Sequence, residues 1–229
     1  NNNCIFGILG PNGAGKTTLF SILVGTLKPT HGSILIKGKS ISDCSSAVAY
    51  CPQFDCLWDN FTVREHLRFY YKFKDVQRPD REAHIDSLLR RLNLLEEGDK
   101  LVRQLSGGMK RRLSIANTLV ADPQIVFLDE PSTGLDIGNK RALWSLIQSI
   151  SDNKLIIIST HLMEEAEVLC EQLAIIDEGK VRVQTTPASL KEKFFQEIRV
   201  QIVFDNARIS RDELVKLVES TFVDPCLHK

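Results

Sequence analysis

No sign of charge dominates this sequence: 29 lysines and arginines stand against 29 aspartates and glutamates, a formal net charge of zero. That balance removes the electrostatic footprint expected of a nucleic-acid or anionic-lipid surface. Long hydrophobic runs are missing too. Stretches such as 155–158 fall far below the ~18 residues a membrane-spanning helix needs, so no direct membrane insertion is expected. No signal peptide, internal repeat or low-complexity segment is legible. No two cysteines stand at CxxC spacing, and no His sits at zinc-finger spacing. Cys4, Cys44, Cys51, Cys56, Cys170 and Cys226 therefore read as reduced, mostly buried apolar residues of a cytosolic domain. An initiating Met is also absent; Asn1-Asn2-Asn3 opens the chain, which reads as an excised fragment.

What is present suffices for one α/β domain with a sizeable core and room for an appendage, at 229 residues. Its organising stretch is Gly10-Pro11-Asn12-Gly13-Ala14-Gly15-Lys16-Thr17-Thr18, which matches the phosphate-binding loop GxxxxGK[ST] at every fixed position. Glycines let successive backbone N–H groups curl into an anion nest. Lys16 then places a compact charge on the β- and γ-phosphates of a nucleoside triphosphate, and Thr17 offers a hydroxyl to Mg²⁺. An apolar strand (Cys4, Ile5, Phe6, Ile8, Leu9) leads in, and Leu19, Phe20, Ile22 and Leu23 follow at helical spacing. The nest thus falls at a helix N-terminus, whose dipole attracts phosphate.

Further on, two short strands are expected at 33–36 and 47–50, separated by turn chemistry at Lys37-Gly38. His31 reads as a turn residue. Gln53 follows the second strand and carries little information alone. Thr62 and Glu65 stand at capping-box spacing before a helix that bears Phe69, Tyr70, Tyr71 and Phe73; with no net charge, these aromatics read as core or interface packing rather than a base-stacking platform. A second helix carries Ile85, Leu88, Leu89 and Leu92 on one face, with His84 and Arg90-Arg91 expected on the solvated side. Ser106 is placed to cap a third helix, whose Gly107 and Gly108 permit close approach of a ligand; Lys110-Arg111-Arg112 reads as its solvated face. Residues 125–128 form a continuous apolar run, expected for a strand buried on both faces of a parallel sheet. It ends in Asp129-Glu130 at the strand's carboxyl end, where open α/β sheets bind ligands. Asp129 suits a Mg²⁺ shell, and Glu130 suits acceptance of a proton from attacking water. Another buried strand, 155–158, ends at Ser159-Thr160-His161, and Glu164, Glu165 and Glu167 on the following helix read as a solvated face. A hairpin at 173–183 and a basic helix at 190–194 close this part; a strand at 198–204 and a helix capped by Ser210 are expected beyond it.

Residues 105–109 (Leu-Ser-Gly-Gly-Met) between the phosphate loop and Asp129-Glu130, then Pro131-Ser132-Thr133-Gly134-Leu135-Asp136 and His161, resemble the ATP-binding domain of an ABC transporter over roughly 4–185. Cys51-Pro52-Gln53-Phe54-Asp55-Cys56-Leu57-Trp58-Asp59 with Arg64-Glu65-His66-Leu67 is similar to the A subfamily, which largely moves lipids. The resemblance implies an α/β P-loop NTPase core with a mixed or parallel sheet flanked by helices, a small β-rich N-terminal part and a helical insert at about 54–120, in a domain spanning 1–190. An α+β regulatory extension would begin in 191–229.

It also implies ATP and Mg²⁺ as cofactors and two such domains meeting head to tail. ATP is then held between residues 10–18 of one domain and Ser106, Gly107 and Gly108 of the other. Glu130 activates water, Lys16 and His161 grip the γ-phosphate, and Thr17, Asp129 and Gln53 serve Mg²⁺ and water. Asp136 couples the two sites. A transmembrane domain of a parent protein is the further partner, reached through Gln53, Phe54 and Trp58, which places the chain at the cytoplasmic face of a membrane in a multi-pass protein. Two departures stand out. Met109 replaces the signature's frequent Gln, leaving Ser106 and the glycines unchanged. The family's adenine-stacking aromatic, upstream of the loop, is not in this chain, so weakened ATP binding is expected. Two other classes share the motifs: a soluble ABC-type switch acting on ribosome or DNA, and a non-hydrolysing regulatory module. Neutral charge and the segment around Gln53 speak against the first, Glu130 and His161 against the second.

Overall fold

Apolar residues at both odd and even positions of 4–9 would populate both faces of a strand, and they do: Ile5 joins one core cluster and Ile8 the other. The structure, a computed structural model, describes residues 4–194; the strand and capped helix expected beyond 195 lie outside the described residues. The elements, in order, are β1 (Cys4–Leu9), α1 (Lys16–Leu23), β2 (Leu35–Ile36), β3 (Lys39–Ser40), β4 (Val48–Cys51), α2 (Val63–Phe73), α3 (Arg81–Arg91) and α4 (Gly107–Leu119). They continue with β5 (Ile125–Asp129), α5 (Ile137–Ile150), β6 (Leu155–Thr160), α6 (Met163–Leu169), β7 (Gln172–Asp177), β8 (Lys180–Thr185) and α7 (Pro187–Phe194).

Six strands form one sheet in the order β4-β5-β6-β1-β7-β8. All neighbours are parallel except the β7–β8 hairpin, so the sheet is mixed, and helices flank it. This is the expected α/β architecture. Register aligns the carboxyl ends: Leu9 pairs with Thr160, and Asp129 with Ser159. The phosphate loop, Asp129-Glu130 and His161 consequently leave the sheet at one edge.

Alternation divides the core. Val126, Leu128, Ile156 and Ile158 join the large cluster on one face, where Leu67, Leu89, Leu113 and Ile147 are fully buried. Phe127 and Ile8 face the other side and pack with Phe20 of α1. There Phe20 meets Phe127 edge-on with ring centroids 5.3 Å apart, a preferred aromatic geometry. The capping box of α2 forms as its spacing predicts: the Glu65 N–H donates to Thr62 Oγ1 (3.2 Å), and the Thr62 N–H donates to Glu65 Oε2 (2.7 Å).

Several expectations need correction. The strand expected at 33–36 is only Leu35–Ile36 and pairs with Lys39–Ser40 across the turn, while the strand at 47–50 belongs to the main sheet as β4. His84 does not sit on the solvated side; its Nδ1 meets the Tyr71 hydroxyl. Glu165 is 1% exposed and accepts a hydrogen bond from Trp144 Nε1 at 3.0 Å. A helix with one apolar face still tucks a polar side chain inward when a buried donor faces it. The basic run also divides: Arg111 is buried, whereas Arg112 reaches the carbonyls of Leu92 and Asn93 at the end of α3. Among the described cysteines all are free, and only Cys51 and Cys170 are buried. The aromatics of α2 divide as well, with Tyr71 buried and Phe73 exposed.

Candidate active site

The phosphate loop turns on glycine backbone. Gly13 and Gly15 take φ of 84° and 100°, values at which a Cβ is strained. Gly10 is needed for a different reason: a Cβ there would stand 2.3 Å from the Ile176 carbonyl oxygen of β7. The first backbone bond of α1 runs from the Leu19 N–H to the Gly15 carbonyl (2.9 Å). The amides of 16–18 are therefore the donors that every helix start leaves without an intrahelical partner. They border a cleft of about 380 Å³ lined by Asn12, Gly13, Gly15, Lys16, Thr17, Thr18, Gln53 and Glu130.

Glu130 is the hub of this cleft. Lys16 Nζ lies 3.2 Å from Glu130 Oε1 and also donates to the Gly10 and Pro11 carbonyls at 2.9 and 3.1 Å. Gln53 Nε2 and Thr133 Oγ1 donate to Glu130 Oε2 at 3.2 and 3.1 Å, and His161 Nδ1 stands 3.3 Å from the same oxygen. Burial pushes the Glu130 carboxyl up, but hydrogen bonds from Lys16 and Thr133 and the Lys16 and His161 charges outweigh it. The net result holds Glu130 below the usual carboxylate range. Its backbone sits at φ 42°, a left-handed conformation that costs a non-glycine residue on the order of 1–3 kcal/mol and concentrates at functional sites.

Asp129 forms the second centre. Thr17 Oγ1 donates to Asp129 Oδ2 at 3.0 Å, Tyr50 OH donates to the same oxygen at 3.1 Å, and the Ser159 hydroxyl holds Oδ1. Burial, then the Asp129 charge, raises the pKa of the Tyr50 phenol, so it stays a donor at neutral pH. A threonine hydroxyl beside one carboxylate is a donor set that suits Mg²⁺, which takes one or two carboxylates and completes its shell with phosphate oxygens and water.

The structure thus gathers Lys16, Thr17, Gln53, Asp129, Glu130 and His161. It does not bring Ser106, Gly107, Gly108 or Asp136 to the cleft of this chain. Ser106 caps α4, its Oγ accepting from the Met109 N–H at 3.3 Å. A Cβ on Gly108 would crowd the Asn139 side chain at 2.6 Å, while Gly107 faces open space. Asp136 caps α5 by accepting from the Asn139 N–H at 3.0 Å, and that bond lowers its pKa. Thr133, Tyr50, Ser159 and Arg111 join the site without any sequence signal that singled them out. Trp58 packs edge-on against Phe69 with centroids 4.7 Å apart and stacks on His66 at 5.4 Å. Phe54, Trp58, Phe61, Phe69 and Phe73 leave an exposed aromatic surface there.

Known proteins resemble this chain in sequence and in fold. A family model described as ABC transporter matches residues 1–133. ABC transporter A family member 5 of Arabidopsis thaliana is 42% identical over 195 residues, covering 82% of this chain and 21% of that protein. The glucosylceramide transporter ABCA12 of Mus musculus is 40% identical over 223 residues, covering 95% of this chain and 9% of that protein. The chain thus spans about a fifth or less of these two relatives. Among solved structures, an ATP-binding subunit of an ABC transporter superimposes with a TM-score of 0.72 at 27% identity, covering 84% of this chain and 82% of the other. cbiO1 of Clostridium perfringens, part of the cbiONQ ABC transporter complex, gives 0.73 at 27%, covering 96% and 84%. A phosphate-loop cleft lined by Gln53 and Glu130 on a mixed α/β sheet, with His161 3.3 Å from Glu130, and a family model matched over more than half the sequence lead to one assignment: the chain belongs to the ABC transporter family.

Proposed function

We propose that this chain binds and hydrolyses ATP and that two copies, or one copy and a paired domain, close head to tail around the nucleotide to power transport across a membrane. The observation that carries the reading is the convergence of Lys16, Gln53 and His161 on Glu130 at the mouth of the phosphate loop. The lipid-type substrate is read from the A-family relatives, one of them named a glucosylceramide transporter. Residues 54–120 serve as the helical insert of a domain that ends near 190.

The loop amides and Lys16 bind the β- and γ-phosphates. Thr17 and Asp129 are the residues that would hold Mg²⁺. When bound, the ion neutralises charge on the phosphate oxygens. Lys16 is shared between its own loop carbonyls and Glu130, so a γ-phosphate competes with Glu130 for it. As Lys16 turns to the phosphate, Glu130 loses the hydrogen bond that keeps its pKa down and becomes a stronger base. Gln53 and His161 orient the water and the γ-phosphate. Ser106, Gly107 and Gly108 supply the opposing face from the partner domain, which fits the open space beside Gly107. Because ADP lacks the γ-phosphate contacts, ATP favours the closed pair. The partner transmembrane domain sits against Phe54 and Trp58, with the chain on the cytoplasmic side.

Two measurements test this. Light scattering on Glu130→Gln protein is expected to give a dimer mass with MgATP and a monomer with MgADP. A monomer in both, with ATP binding verified, would remove self-association of this chain from the reading. Trp58→Ala in the parent transporter is expected to lower transport per ATP hydrolysed while leaving ATP affinity intact. Transport unchanged by that substitution would exclude Trp58 from the coupling surface.

A further inference from the structure

Arg111 lies on α4 among residues that read as a solvated face, yet it is 4% exposed. Its planar guanidinium has two working edges. On one, Nε donates to the Pro131 carbonyl at 2.9 Å and Nη2 donates to the Asp129 carbonyl at 3.0 Å. These are the carbonyls on either side of Glu130, the residue held at φ 42°. On the other edge, Nη1 donates to the carbonyls of Pro52 and Gln53 at 2.7 and 3.3 Å and to Asp55 Oδ1 at 3.1 Å. One side chain therefore grips the backbone of both members of the Gln53–Glu130 pair, whose side chains meet at 3.2 Å across 77 residues of sequence. It does so from a helix that Ser106 caps and whose first turn carries Gly107 and Gly108.

We propose that Arg111 is a positioning residue: it sets Gln53 against Glu130 and carries any displacement of α4 to that pair. The tie itself is a feature of this structure; only its consequence for turnover rests on the reading of this site as an ATPase. A point charge cannot reproduce the two edges, so lysine is not a conservative replacement here. Arg111 touches none of residues 10–18 through its hydrogen bonds, so nucleotide affinity should be spared.

The test uses the full chain, with amide hydrogen exchange as the first readout. Arg111→Lys is expected to speed exchange about tenfold or more, the worth of one hydrogen bond to a charged group, in both 52–58 and 129–135. Exchange in β1 and β6 should stay unchanged. Acceleration spread evenly over the sheet would mean a packing role only, and acceleration in just one of the two segments would mean no tie; either overturns the proposal. Asp55→Asn, which alters one edge alone and guards against failure of Arg111→Lys to fold, is expected to loosen 52–58 and spare 129–135. Loosening of neither segment overturns it.

The second readout is a cycle on steady-state ATP hydrolysis. Arg111→Lys is expected to lower kcat about 10–10²-fold, the cost of a misplaced catalytic group, with KM for MgATP within about threefold. The double variant Gln53→Ala, Arg111→Lys should fall little below Gln53→Ala alone, because both act through one pair. Additive losses overturn the proposal. A parent chain that binds MgATP but does not hydrolyse it would count against the ATPase reading, while the exchange result still decides the tie.

Discussion

Replacing Glu130 with Gln is expected to slow ATP hydrolysis by ~10²–10⁴-fold, the usual worth of a positioned general base. The substitution keeps the size and the Thr133 and Gln53 neighbours of the side chain but removes the oxygen that takes up a proton. ATP binding should persist, because the loop amides, Lys16, Thr17 and Asp129 are untouched. Loss of the carboxylate also frees Lys16 from its 3.2 Å partner, so affinity for MgATP should stay level or rise. Phosphate release by the unsubstituted and Glu130→Gln proteins and binding of a fluorescent ATP analogue separate the two effects. Turnover equal to that of the parent would strip Glu130 of its role.

Lys16→Ala is expected to weaken nucleotide binding by ~10²-fold. A charged hydrogen bond to phosphate in a partly closed site is worth up to about 3 kcal/mol, or ~10²-fold in affinity. Lys16 is 5% exposed and pins the loop through the Gly10 and Pro11 carbonyls. Some loss of loop order will accompany the lost affinity, so the melting temperature should be read alongside the binding isotherm. A dissociation constant for MgATP within threefold of the parent, in protein that melts normally, would contradict the assignment.

These expectations rest on residues that differ in how visible they were. The phosphate loop, the strand leading into it, the capped helices and the strand-end acids were legible in the linear order, because each depends on neighbours within a few positions: glycine at a positive φ, a threonine three residues before a glutamate, an apolar run closed by carboxylates. The identity of Gln53 and His161 as site residues came only through resemblance, since a loop glutamine or a strand-end histidine has no local signature.

Tertiary structure decided what meets what. Gln53 and Glu130 are 77 residues apart, and Thr17 and Asp129 are 112; parallel pairing of β4, β5, β6 and β1 is what sets their ends side by side. Burial of polar side chains was equally out of reach. Arg111 and Glu165 sit on helices whose apolar faces are plain. Nothing along the chain says that a carbonyl or an indole N–H waits opposite each of them. Helical periodicity specifies a face, but a buried charge is stabilised by its partners, and those partners arrive from other elements.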